Sequence, residues 1–115
     1  MSPFEIKLPE HQTSCVVFNS PHSGRYYPKK FLDMSSLSLT SLRSSEDLFV
    51  DEIFSPIVKL GSILMAAIFP RSYVDLNRDH MELDPLLIRD LNNFSKTPKV
   101  SAGLGVIPRV VDMQR

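Results

Sequence analysis

Apolar and polar positions along this chain follow two rhythms, short unbroken apolar runs and one stretch of helical period. Cys15-Val16-Val17-Phe18 is a β-branched and aromatic run that stops at Asn19-Ser20-Pro21, the pattern of a buried strand feeding a loop. Residues 28–39 read as an irregular connector with a short helical piece over 29–33. From Ser45 the spacing turns helical, with Phe49, Ile53, Ile57 and Leu60 on one face and Asp51, Glu52 and Lys59 away from it. Pro56 lacks the amide that the helical ladder needs, which predicts a bend or break there, and Gly61 is a natural stop. Residues 62–69 are apolar almost throughout and predict a second strand, buried on both faces and ended by Pro70. Beyond it the pattern predicts extended chain over 73–76 and a helix over 82–91, with Pro85 tolerated near its start. A polar, mobile loop follows over 92–103, carrying Pro98 and Gly103, then a last strand over 104–111 and a frayed tail over 112–115.

Strand, helix, strand in this order argues an α/β layer with a mostly parallel sheet. A chain of 115 residues has room for one modest domain. Thirteen basic and thirteen acidic side chains cancel, and no Lys/Arg run is present, so neither nucleic acid nor an anionic membrane is an implied partner. A small-molecule site fits better. Residues 63–69, the longest apolar run, are far too few to span a bilayer, and the N-terminus has no signal-peptide pattern. The single Cys15 sits in an apolar run and reads as a buried thiol in a reducing compartment. The expectation is a soluble cytoplasmic protein.

Three groups of residues carry candidate chemistry. His22 lies in the turn Ser20-Pro21-His22-Ser23-Gly24 at the carboxyl end of a predicted strand, where α/β sheets bind ligands, and neutral imidazole is a common zinc ligand. A loop histidine bonded to a backbone carbonyl is the plainer alternative. Glu46 and Asp47 offer carboxylates that complete zinc sites, although serines at 44 and 45 followed by two acids also describe an ordinary helix N-terminus. Arg25 stands three residues after His22, so the common His-x-x-Glu ligand spacing is absent. Arg71, Asn77 and Arg78 flank an apolar stretch and present forked donors suited to a carboxylate or to a polarised carbonyl oxygen. Pairing of these arginines with Asp75, Asp79 or Glu82 is the alternative.

The sequence resembles the N-formylglutamate amidohydrolases. The matching stretches are Asn19-Ser20-Pro21-His22-Ser23-Gly24 with Tyr27-Pro28, Glu46-Asp47-Leu48-Phe49-Val50-Asp51, Phe69-Pro70-Arg71-Ser72-Tyr73-Val74-Asp75-Leu76-Asn77-Arg78, Glu82-Leu83-Asp84-Pro85, and Gly103-Leu104-Gly105-Val106-Ile107-Pro108-Arg109-Val110-Val111. They run in order over almost the whole chain. The resemblance implies a carboxypeptidase-like (phosphorylase/hydrolase-like) three-layer α/β fold and a zinc-dependent amidohydrolase. Its reaction would release formate and glutamate from N-formylglutamate in histidine breakdown. It further implies His22 and Asp47 as zinc ligands, with Glu46 the second choice. Arg71 would be the carbonyl-polarising catalytic group, and Arg71, Asn77 and Arg78 would bind substrate. Ser23 and Gly24 would shape the turn, and Arg109 is retained in its motif without a role that the resemblance assigns.

Members of that family are much longer, and their later half brings another zinc-binding histidine, in an Asp-x-His-Ser segment, and the acid that activates water. Neither is found here, and His80 lies too close to Asn77 and Arg78 to stand in. The expectation is therefore that residues 1–115 are the N-terminal part of such a domain, incomplete as a catalyst. Such a chain would bind a small N-acyl amino acid and either meet a complementing C-terminal chain or self-associate. A non-catalytic remnant that binds a carboxylate or a partner is the alternative.

Overall fold

The computed structural model describes residues 1–111. Its regular elements are β1 (Phe4–Lys7), β2 (Val17–Ser20), α1 (Lys29–Met34), α2 (Leu39–Arg43), α3 (Val50–Phe54) running into a 3-10 turn (Ser55–Val58), β3 (Ile63–Ala67) and α4 (Pro98–Ser101). The strands form one sheet in the order β1-β3-β2, with β2 parallel and β1 antiparallel to β3. The α/β expectation holds and the mostly parallel sheet does not, because β1, which no strong apolar run announced, pairs Phe4 with Ala67 and Lys7 with Leu64. β3 is central because it is the most apolar segment and both of its edges find partners.

Period-two alternation divides the sheet into two faces. Leu64 and Ala66 are buried, and Phe18 shares their face by register, with its ring 5.7 Å from that of Phe54 in α3. On the other face Ile63 and Met65 are only half-buried, and Ile6 and Val17 are exposed. The strand predicted to be buried on both faces is thus covered fully on one and, on the other, only at Ala67. Cys15 precedes β2 and is exposed, contrary to the buried thiol expected.

The long helix expected from Ser45 is broken for reasons that position the site. The Asp47 amide donates to the His22 carbonyl at 3.0 Å instead of entering a helical ladder, and Phe49 takes a left-handed φ of 62°. Helix α3 then runs for one turn, and Pro56 converts the next turn to 3-10 geometry, the break its missing amide predicts. The expected stripe dissolves, with Ile53 and Leu60 exposed. Nor do serines 44 and 45 cap a helix start. Their hydroxyls donate back to the carbonyls of Ser41 and Leu42 at the end of α2, whose own N-cap is Ser38.

After Pro70 the chain is held mostly by turns. Residues 73–76 form no strand, residues 82–91 no helix, and residues 104–111 no strand. Asp84 explains the second of these, because its side chain accepts from the Leu86 amide while its carbonyl takes Leu87 and Ile88, closing a single turn. The Asp75 amide donates to the Val106 carbonyl and the Val106 amide to the Glu82 carbonyl, so residues 104–111 bridge two loops instead of extending the sheet. The predicted loop 92–103 contains α4, capped by the Thr97 hydroxyl with Val100 buried beneath it. The predicted frayed tail lies outside the described residues.

Candidate functional site

Strand β2 ends at Ser20, whose hydroxyl lies 2.6 Å from that of Ser23, closing the turn that carries His22. Gly24 lets this turn pack against the end of β3. A Cβ there would stand 2.1 Å from the Phe69 carbonyl oxygen, and the Tyr26 amide bonds the Ile68 carbonyl across the same contact. His22 is thereby buried, 7 % exposed, with both ring nitrogens facing carboxylates. Its Nε2 lies 2.7 Å from Asp75 Oδ1 and its Nδ1 3.4 Å from Asp47 Oδ2.

Asp75 is the hub of the site. Besides His22 it accepts from the Asn77 amide at 2.9 Å and from Arg71 Nη2 at 3.0 Å, and Arg78 Nη2 lies 3.6 Å away. Burial pushes its carboxyl toward the neutral form, but the Asn77 amide, His22 and Arg71 outweigh that and hold it below the usual carboxylate range. Ionised Asp75 is an acceptor only, so the proton of their shared bond sits on Nε2, and a neutral His22 then presents its Nδ1 lone pair to Asp47. Two acceptors so placed need a proton or a cation between them.

The spacing of this arrangement suits zinc. Ligands at about 2.0–2.1 Å on a tetrahedral ion stand about 3.3 Å apart, close to the Nδ1 to Oδ2 separation of 3.4 Å. A histidine that binds metal commonly donates its other ring N–H to a carboxylate, which is what Nε2 does here. His22 and Asp47 therefore fit two corners of a zinc site. No cluster of three or more His, Cys, Asp or Glu suited to a metal exists among the described residues. Glu46, the second choice, faces elsewhere, accepting from Tyr27 at 2.7 Å and from Arg43. Burial and this bond to Glu46 raise the Tyr27 phenol far above its ordinary range, which keeps it a neutral donor.

Arg71 reaches the same cleft. Its Nη1 lies 3.6 Å from Asp47 Oδ1, and it lines a cavity of about 360 Å³ with Asp47, Asp75 and Ser72. Arg78 is used differently, its Nε donating to the Leu104 carbonyl and Nη1 to the Asn77 carbonyl, both at 2.8 Å. Asn77 is exposed. The five residues singled out from sequence thus fall near one aspartate, with Asp47 and Arg71 lining the cleft, His22 buried behind Asp47 and Asp75, and Arg78 bonded to the carbonyl of Leu104 in its wall.

A model of the N-formylglutamate amidohydrolase family matches residues 14–115. The chain belongs to the N-formylglutamate amidohydrolase family. The crystal structure of N-formylglutamate amidohydrolase from Ralstonia eutropha JMP134 is similar, with 34% sequence identity and a TM-score of 0.89 over 97% of this chain. The chain spans 40% of the length of that relative. No curated protein matches.

Two features of this candidate site carry little signal in the sequence. By sequence Asp75 reads only as a surface partner for arginines, although its place two residues before Asn77-Arg78, on the loop leaving β3, is the signal that puts it among them. Arg109, left without a role, donates from Nε to Asp84 Oδ2 at 2.8 Å, and Asp84 is 2 % exposed. Burial opposes that charge, but Arg109 and the Leu86 amide lower the Asp84 carboxyl below its ordinary value.

Proposed function

We propose that this chain supplies the histidine, one carboxylate and the carbonyl-polarising arginine of a zinc-dependent hydrolase acting on N-formyl-L-glutamate or a similar N-acyl amino acid, with formate and glutamate as products. The observation that carries the reading is His22 held between Asp75 and Asp47, with Arg71 spanning the same two carboxylates. Asp75 fixes the ring so that Nδ1 faces the cleft. His22 Nδ1 and Asp47 would hold the metal, which when bound lowers the pKa of water and acts as a Lewis acid toward the scissile carbonyl. Arg71 donates to the carbonyl oxygen as negative charge develops there, a contact that gains strength in a site shielded from water. Asn77 and Arg78 belong to substrate binding, with Arg78 also shaping the Leu104 wall of the cleft.

The sheet is read as part of a carboxypeptidase-like three-layer fold, its open face the seat of a further layer. Support comes from the relative, whose chain this one spans by 40%. A complementing chain or segment would bring the remaining ligand and the water-activating acid, and the setting would be cytoplasmic histidine breakdown. The second reading, a carboxylate-binding module without turnover, is favoured by the two-donor metal site alone.

Calorimetry with Zn²⁺ followed by N-formyl-L-glutamate tests the proposal. The expected result is weak zinc binding abolished in His22→Ala, zinc-dependent ligand binding weakened in Arg71→Ala, and formate release by the isolated chain at background. Ligand binding indifferent to zinc and to both substitutions would overturn it.

A further inference from the structure

Two cavities lie side by side around residues 104–111. The first holds Asp47, Arg71 and Asp75. The second, about 560 Å³, is walled by Phe31, Leu42, Tyr73 and Ile107 and carries Arg109. Ser72, Pro108, Val110 and Val111 line both, so one small molecule could reach from the cleft at Asp47 and Arg71 into the apolar chamber. Arg71 and Arg78 serve the cleft itself, Arg71 beside Asp75 and Asp47, Arg78 beside Asp75 and two backbone carbonyls.

Arg109 is placed differently. Asp84 takes its Nε, and among the described residues its Nη1 and Nη2 make no hydrogen bond. Its position is fixed in advance. Asp84 is itself pinned by the Leu86 amide, the Arg109 amide bonds the Gly103 carbonyl at 2.9 Å, and the guanidinium lies against Gly103, where a Cβ would come 3.2 Å from Nη2. A guanidinium held at Nε keeps its two Nη donors as a parallel fork, the geometry that selects a planar carboxylate. Apolar surroundings strengthen such a pair, and a preordered arginine loses little entropy on binding.

We propose that Arg109 is the specificity anchor for the distal, side-chain carboxylate of an acidic N-acyl amino acid, seated in the apolar chamber while the acyl amide lies in the His22 cleft. The inference rests on the proposed function. It explains why an arginine held by a buried aspartate lines an apolar cavity beside the cleft.

The test is an NMR titration of the isotopically labelled chain with zinc present, using N-formyl-L-glutamate and N-formyl-L-glutamine, which differ only at the distal group. Both should shift His22 and Arg71 resonances, whereas only the glutamate ligand should shift the Arg109 Nε–Hε signal and the Gly103 amide, and it should bind about tenfold more tightly. Arg109→Lys should remove the preference and leave the His22 shifts. The wild-type comparison stands without the variant if that protein fails to fold. Equal shifts and affinities for the two ligands, or a preference that survives in Arg109→Lys, would overturn the anchor and spare the functional reading. Absence of any shift with either ligand would overturn both.

Discussion

Residues 1–69 and residues 79–111 are built on different principles. In the first region backbone ladders between β1, β3 and β2 carry the architecture, and apolar side chains cover one face. In the second, the described residues form a single one-turn helix, and side chains bonded to backbone or to one another do the organising: Asp84 with Arg109 and the Leu86 amide, Glu82 with Thr97 and the Asp79 amide. Asp75 joins the two, its amide on the Val106 carbonyl and its carboxylate on His22. The candidate site thus lies at a seam where a strand-turn unit meets a loop layer fastened by polar contacts.

Substitution at the seam should have the largest effect. Asp75→Ala leaves Arg71, Arg78 and His22 without their shared acceptor, and breaking a buried ionic cluster costs about 3–5 kcal/mol. Urea unfolding should show a loss of this size, together with chemical-shift changes on both sides of the seam. Changes confined to one side would break the comparison. Within the sheet region, Gly24→Ala drives a methyl into the Phe69 carbonyl and should cost about 3 kcal/mol in the same assay.

The loop layer should be weaker and more sensitive to acid. Asp84→Ala should cost about 2 kcal/mol, the value of a charge-assisted bond to a partly exposed arginine. The Asp84 carboxyl is lowered on folding, so the unfolded chain takes up this proton first as pH falls. Its stabilisation is therefore complete above the unfolded value of about 3.9 and is lost as pH drops through the lower folded value. Unfolding free energy measured from pH 5 to pH 2 should fall, and Asp84→Asn should flatten part of that slope. Thr97→Ala, which removes the cap of α4, should cost about 1 kcal/mol, seen as faster amide exchange at Val100.

The same contrast explains what was legible in the sequence. β3, the 29–33 helical piece and the break at Pro56 followed from local signals, and the apolar run at 15–18 announced β2 two residues early and as more buried than it is. The helix expected after Ser45 failed because the Asp47 amide is used by His22, a contact from 25 residues away that no periodicity reveals. The strand expected at 104–111 failed because its amides and carbonyls go to Glu82, Asp75 and Gly103. Candidate residues behave differently from elements. His22, Asp47, Arg71 and Arg78 converge on one place because motif chemistry survives errors in secondary structure, whereas Asp75 was missed because an aspartate beside arginines reads as a surface pair.

The measurement that bears most directly on the central claim is the ¹⁵N spectrum of the His22 ring during Zn²⁺ titration. The account predicts a proton on Nε2, held by Asp75, and a zinc-induced shift of Nδ1 that disappears in Asp47→Ala. A shift at Nε2, or a His22 ring that zinc leaves untouched, would contradict it.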